Sequence, residues 1–173
     1  MARFQVFKAN LDESLQLTRE RRSYTTGVTK FSDLTKQEFA KTYLNLDVDA
    51  LAFANFSPVT IQVSNAAPAS WDWRDQGVVA AVKDQGSCGS CWSFSTVANL
   101  EGQYALKKNK VVTFSEQYLA DCDTSDSGCN GGLMERTFTW LKSAGGFMTD
   151  ADYPYKGVKS TCKKDTSKFV DMK

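Results

Sequence analysis

The sequence predicts an α+β chain, mostly helical over these residues and divided into two parts, and three observations predict it. Before residue 45, apolar side chains recur every three or four positions, the period of a helix with one buried face. From Leu44 to Ala67 that period vanishes, charge falls to Asp47 and Asp49, and Pro58 and Pro68 punctuate the stretch. After residue 67 come all four tryptophans, all five cysteines and most of the glycines, as in a loop-rich, disulfide-stapled domain.

The elements follow in order. Phe4, Phe7, Leu11 and Leu15, with Arg3, Lys8, Asp12 and Glu13 between them, predict an amphipathic helix ending near Arg22. Residues 27–33 read as a short extended link. Thr35 and Glu38 then have capping-box spacing, which opens a helix through about Tyr43 with Leu34, Phe39 and Tyr43 on its apolar face. Residues 47–66 read as an extended linker. Cys91 through about Lys107 forms the next helix, with Phe94, Val97, Ala98 and Leu100 inward and Lys107 and Lys108 suited to its negative end. A shorter helix follows Ser115. Another runs from about Leu133 to Ala144 and stops at Gly145 and Gly146, residues free to take the left-handed conformation of a helix end.

Composition removes several function classes. Lys and Arg total 21 against 20 Asp and Glu, so a net charge of +1 provides no field for nucleic acid or anionic lipid. The basic cluster Arg19 to Arg22 reads as a solvated helix face. No apolar run nears the roughly 18 residues of a membrane helix, and residues 1–20 lack the apolar core of a secretory signal. Five cysteines, Cys88, Cys91, Cys122, Cys129 and Cys162, are an odd number, which fits two disulfides and one thiol kept for chemistry. Such usage belongs to an oxidising or lysosome-like compartment, so a lysosomal or secreted location is expected. Four structural cysteines allow three pairings, and spacing does not choose among them.

Cys91 lies where the loop Gly86 to Ser90 meets an apolar helix. A helix N-terminus carries about half a positive charge, which favours a nucleophilic thiolate. Gln85 could fold back to offer its amide N–H to the negative oxygen of a tetrahedral intermediate.

With those residues in view, Gln85-Gly86-Ser87-Cys88-Gly89-Ser90-Cys91-Trp92-Ser93-Phe94-Ser95 resembles the active-site signature of the papain and cathepsin family, in which the second cysteine is the nucleophile. Trp71-Asp72-Trp73-Arg74 is similar to the family's mature N-terminal segment and Ser115-Glu116-Gln117 to its following helix. Gly128-Cys129-Asn130-Gly131-Gly132 is similar to its substrate-binding loop, and Tyr153-Pro154-Tyr155 extends the resemblance. Upstream, Arg3, Phe7 and Asn10 fit the ERFNIN pattern of the family's inhibitory propeptide, and Gly27, Phe31 and Asp33 fit its GNFD pattern. Ser14, Thr18 and Thr29 depart from these patterns, and the opening glutamate is missing.

The resemblance implies a papain-like fold of the α+β class, closer to cathepsin L than to papain in its Leu133-Met134. Its divisions are a propeptide over 1–46, a linker over 47–66 and the mostly helical first lobe over 67–173, with the β-rich second lobe absent. It makes Cys91 the nucleophile and Gln85, with the Cys91 amide, the oxyanion donor. Gly89, Asn130, Gly131, Gly132, Leu133 and Met134 become substrate-binding positions, with glycine where another extended backbone approaches closely. The implied disulfides join Cys88 to Cys129 and Cys122 to Cys162. Partners are protein or peptide substrates and the propeptide as intramolecular inhibitor. No cofactor, metal, nucleic acid or membrane span is implied. Leu51, Phe53 and Phe56 would lie reversed in the cleft, and activation would cut near Asn65 to Ser70. The sequon Asn55-Phe56-Ser57, followed by Pro58, reads as an unused match.

The sequence has no histidine, and the family's catalytic His and Asn lie about 130 to 150 residues beyond the nucleophile. The 173-residue chain by itself is therefore expected to lack peptidase activity and to be marginally stable, with apolar surface around Trp92 facing water. Three other uses of these residues compete. Cys88 and Cys91 have the spacing of a redox pair, and Cys88, Cys91, Cys122 and Cys129 could be read as a zinc site. Residues 1–66 could instead act as a non-catalytic, propeptide-type protease inhibitor.

Overall fold

The computed structural model describes residues 2–20, 23–44, 60 and 68–172. The linker apart from Thr60, with Leu51, Phe53, Phe56 and Asn55, and the first part of the expected activation segment lie outside these residues. The chain forms two compact units, residues 1–45 and 46–173.

In the first unit, α1 spans Ala2–Arg19 and α2 spans Lys36–Tyr43. The Thr35 hydroxyl accepts from the Glu38 N–H and the Glu38 carboxylate accepts from the Thr35 N–H, so the capping box closes. Glu38 also accepts from Arg3 at 2.9 Å, and Arg3 donates to the Asp33 carbonyl. Asn10 donates to the carbonyls of Ser32 and Leu34 at 3.0 and 2.9 Å, which fastens α1 to the turn before α2. That turn corrects the extended link expected there: the chain is extended only as far as Thr29, then bends over residues 30–33. The Phe31 ring thereby stacks edge-on with Phe39 and Tyr43.

α1 also uses a different face from the one expected. Phe4 and Leu15 are exposed, while Phe7, Asn10, Leu11, Ser14 and Leu17 are half-buried. The polar positions decide this, because Asn10 and Ser14 find partners on the neighbouring segment. Ser14 and Thr18, two departures from the propeptide pattern, meet at the Thr26 hydroxyl. Thr26 spends its only proton on the Ser14 carbonyl, so both hydroxyls donate to it.

Among its described residues the second unit has three α-helices, α3 (Cys91–Lys108), α4 (Glu116–Cys122) and α5 (Met134–Ala144), with 3-10 turns at Trp73–Gln76 and Thr166–Lys168. α3 packs against both α4 and α5. α4 is buried along its whole length, with Ser115 capping it through the Tyr118 N–H. The core gathers Trp92, Val97, Phe114, Tyr118, Leu119, Phe147 and Met148, and the Tyr118 ring meets Phe147, Tyr153 and Phe169 edge-on. Gly145 ends α5 in the left-handed conformation, as expected. Among the described residues β structure is limited to isolated bridges: Phe114 with Thr149, Phe147 with Val170, and Gly89 with Asn130. The mostly helical character expected of the first lobe is what is seen. Among the described residues no helix is long and apolar enough to cross a membrane.

Two burial expectations are corrected. Ala98 is exposed, because the inward face of α3 is Trp92, Ser93, Thr96, Val97, Glu101 and Ala105. Trp92 is 1% exposed rather than facing water, since its indole N–H needs a buried acceptor and finds the Gly128 carbonyl at 2.9 Å. The open apolar surface lies instead in a groove of about 560 Å³, whose walls include Trp73, Val79, Val82, Phe94 and Leu106.

Candidate active site

Cys91 is the first residue of α3, exposed, and the one cysteine not in a disulfide. The amides of a helix's first turn have no intrahelical acceptor, so the Cys91 N–H starts a row of donors beside its own sulfur. Ser90, the residue before, is fully buried and makes no side-chain cap; its carbonyl accepts instead from Ser93 and Phe94. The loop leading in is tightly held. Gly86 turns with φ +63° and its N–H donates to Asp84. The Gln85 side-chain amide donates to the Cys88 carbonyl at 2.9 Å, so its N–H group is engaged within the loop itself.

A second loop is stitched to the first. Cys88 is bonded to Cys129, and Cys122 to Cys162. The Gly89 N–H donates to the Cys129 carbonyl at 2.9 Å, beside the parallel bridge from Gly89 to Asn130. Because Cys88 pairs with Cys129, no redox bridge joins Cys88 to Cys91, and three of the four sulfurs of the zinc reading are already spent. Gly131 (φ +107°) and Gly132 follow Asn130. A Cβ on Gly132 would lie 2.7 Å from the Trp92 ring and 2.8 Å from the Asp126 carboxyl, so glycine is required there by the protein's own packing.

The sequence-predicted residues are therefore brought together unevenly. Cys91, Gln85, Gly89, Asn130, Gly131 and Gly132 belong to two loops joined by one disulfide and one bridge. Gly89 is buried and its N–H is used on the Cys129 carbonyl. Leu133 is 4% exposed and packs in the core, whereas Met134 stays half-buried at the start of α5. The Leu133 N–H donates to Asp126, which pulls the backbone inward.

Asp126, Glu101 and Lys83 were not singled out from sequence. Asp126 is buried and accepts from the Leu133 N–H at 2.9 Å and the Thr137 hydroxyl at 3.1 Å. Burial pushes its pKa above the ordinary value, and the Asp123 charge adds to this. Glu101 and Glu116, both buried, face Lys83 at 2.8 and 2.7 Å. Burial works against the Lys83 charge, but its bonds to two carboxylates prevail and hold its pKa above the ordinary value. One ammonium shared between two acids leaves Glu116 pushed up by burial. Helical position could have flagged Glu101, since it falls on the face that holds Val97.

Residues 67–173 match the model of the papain family of cysteine proteases, and residues 1–39 match that of the cathepsin propeptide inhibitor domain. The chain belongs to the papain family. Among curated relatives, cysteine proteinase 15A of Pisum sativum is 44% identical over 97% of this chain and 49% of its own length. Vignain of Phaseolus vulgaris is 43% identical over 98% of this chain and 48% of its own length. Of solved structures, the proform of the ragweed pollen cysteine protease Amb a 11 superposes with a TM-score of 0.86 at 40% identity, over 98% of this chain and 54% of that one. Digestive procathepsin L2 from the larval midgut of Tenebrio molitor gives 0.88 at 34% identity, over 98% and 58%. The chain spans about half the length of the curated relatives it matches.

Proposed function

We propose that this chain supplies the nucleophilic half of a cysteine endopeptidase zymogen, with residues 1–46 as its inhibitory propeptide. The observation that carries the reading is Cys91: an unbridged, exposed thiol at the first position of α3, on a loop clamped by the Cys88–Cys129 disulfide. The sulfur attacks a peptide carbonyl carbon, and the oxygen that becomes negative is held by the Cys91 N–H and, once it swings from the Cys88 carbonyl, by Gln85. The C–N bond then breaks, a proton goes to the leaving amine, and water releases the acyl group from sulfur. Gly131 and Gly132, followed by Met134, flank the substrate backbone. Two disulfides fit an oxidising or lysosome-like compartment.

Proton transfer to and from sulfur is the work of an imidazole in this family, and the sequence contains no histidine. The 173-residue chain should therefore be modified at Cys91 without turning over peptide. The test is incubation of the chain with an epoxide-type thiol inhibitor and a fluorogenic dipeptide, reading adduct position and turnover together. An adduct confined to Cys91 with no turnover supports the reading. Turnover abolished by that adduct would place a base elsewhere in the chain, and an adduct spread over other residues would remove Cys91 from its role.

A further inference from the structure

Tyr155 joins the two ends of the nucleophile loop. Its hydroxyl donates to the Gln85 backbone carbonyl at 2.9 Å and meets the Ser90 hydroxyl at 2.6 Å. A carbonyl can only accept, so the phenol's one proton is spent on Gln85, and the Ser90 hydroxyl donates to the phenol oxygen rather than to the more distant Cys88 carbonyl at 3.4 Å. The hydrogens are thereby ordered in one direction, from Ser90 through Tyr155 to Gln85. Ser90 is the residue from which α3 and Cys91 depart, which explains why its side chain does not cap the helix. The Tyr155 ring rests edge-on against Phe94, one turn into α3, with centroids 4.9 Å apart. A single side chain thus touches the residue that carries the proposed oxyanion amide, the residue before the proposed nucleophile, and the helix that bears it.

The segment bearing Tyr155 is itself fixed from below. The Lys156 N–H donates to Gln117 at 2.7 Å, the Tyr153 hydroxyl donates to Asp121 at 2.9 Å, and Gln117 and Asp121 are buried on α4. Burial raises the Tyr155 pKa above its ordinary value, which keeps the donated proton in place at neutral pH.

We propose that Tyr155 is a positioning residue of the active site, its hydroxyl setting the distance between Gln85 and Cys91. This rests on the reading of Cys91 and Gln85 given above. Without the hydroxyl, the Gln85 backbone and the start of α3 lose their common anchor, and the pair of oxyanion donors falls out of alignment while the thiol remains.

The test uses the 173-residue chain, Tyr155→Phe, which retains the ring on Phe94, Gln85→Ala, and the double variant. Each is treated with a peptidyl aldehyde and, separately, with a small aromatic disulfide. The thiol of Cys91 adds across the aldehyde, its proton passing to the oxygen that occupies the oxyanion site; in the second reaction the sulfur displaces an aromatic thiol and no oxyanion forms. Since deleting one oxyanion donor outright costs about 100-fold or more in turnover, misaligning it should weaken aldehyde affinity about tenfold in Tyr155→Phe. The disulfide rate should change by less than about twofold, and Tyr155→Phe should add less than about twofold on the Gln85→Ala background. Ser90→Ala, which retains the bond from Tyr155 to Gln85, should lose less than Tyr155→Phe.

Equal loss with both reagents, or an undiminished Tyr155→Phe effect without Gln85, would overturn the inference. If neither reagent modifies Cys91 in the unaltered chain, the nucleophile reading fails and takes this one with it. If modification is intact but Tyr155→Phe leaves the ratio of the two reagents unchanged, this inference alone fails.

Discussion

The ammonium of Lys83 lies 2.8 Å from the carboxylate of Glu101, which also accepts from the Phe114 N–H at 2.9 Å. Glu101 is 2% exposed, and the same ammonium reaches Glu116 at 2.7 Å. One cation therefore holds the segment before the Gly86 to Ser90 loop, the middle of α3 and the start of α4 together. Lys83→Met would leave two buried carboxylates without a counter-ion. Breaking a buried pair from one side costs about 3–5 kcal/mol, so the urea midpoint should fall strongly. An unchanged midpoint would mean that the carboxylates are hydrated or protonated without loss.

Gly132→Ala places a methyl group against the Trp92 ring and the Asp126 carboxyl, at 2.7 and 2.8 Å. Overpacking of this kind costs about 1–3 kcal/mol, which lowers the melting temperature by several degrees in a domain of this size. Gly77→Ala meets no atom within 4 Å, although its φ of +65° strains it, and it serves as the control for strain without collision. A larger loss at Gly77 than at Gly132 would contradict the packing argument.

For Asp126 the sign of the pH effect follows from its raised folded pKa. Between the ordinary value of 3.8 and the folded value, the folded state holds a proton that the unfolded state has released. The contribution of this group is thus present in acid and is lost as pH rises through that window. Asp126→Asn cannot ionise, so its stability relative to the unaltered chain should increase from pH 4 to pH 7. Paired denaturation curves at the two pH values measure this; a relative decrease would reverse the assignment.

Asn10→Ala removes both bonds that tie α1 to the turn before α2, to Ser32 and to Leu34. Each neutral bond contributes about 1 kcal/mol, so losing both should raise amide exchange across α1 by about 30-fold while α3 to α5 remain unchanged. Equal protection in both forms would show that apolar contacts alone hold α1.

What could be read along the chain was local. The helix periods, the Thr35–Glu38 box, the Ser115 cap and the Gly145 stop are encoded within one or two turns, where propensity and capping act without help from distant residues. The odd cysteine and its place before an apolar helix pointed to Cys91, and family resemblance supplied the pairing of the other four. The choice of buried face was less legible. Phe4 and Ala98 read as inward on hydrophobicity, yet Asn10, Ser14 and Glu101 took those directions because each had a polar partner on another segment.

The sequence by itself determined the family and the helices and singled out Cys91 at a helix start, because those depend on residue type and short spacing. Only the tertiary structure decided which groups hold these loops and helices: Tyr155 between Gln85 and Ser90, Asp126 accepting from Leu133, and Lys83 between two acids. The physical reason is that each of those side chains satisfies its hydrogen bonds with residues 7 to 70 positions away, and nothing in local pattern encodes which buried donor will meet which acceptor.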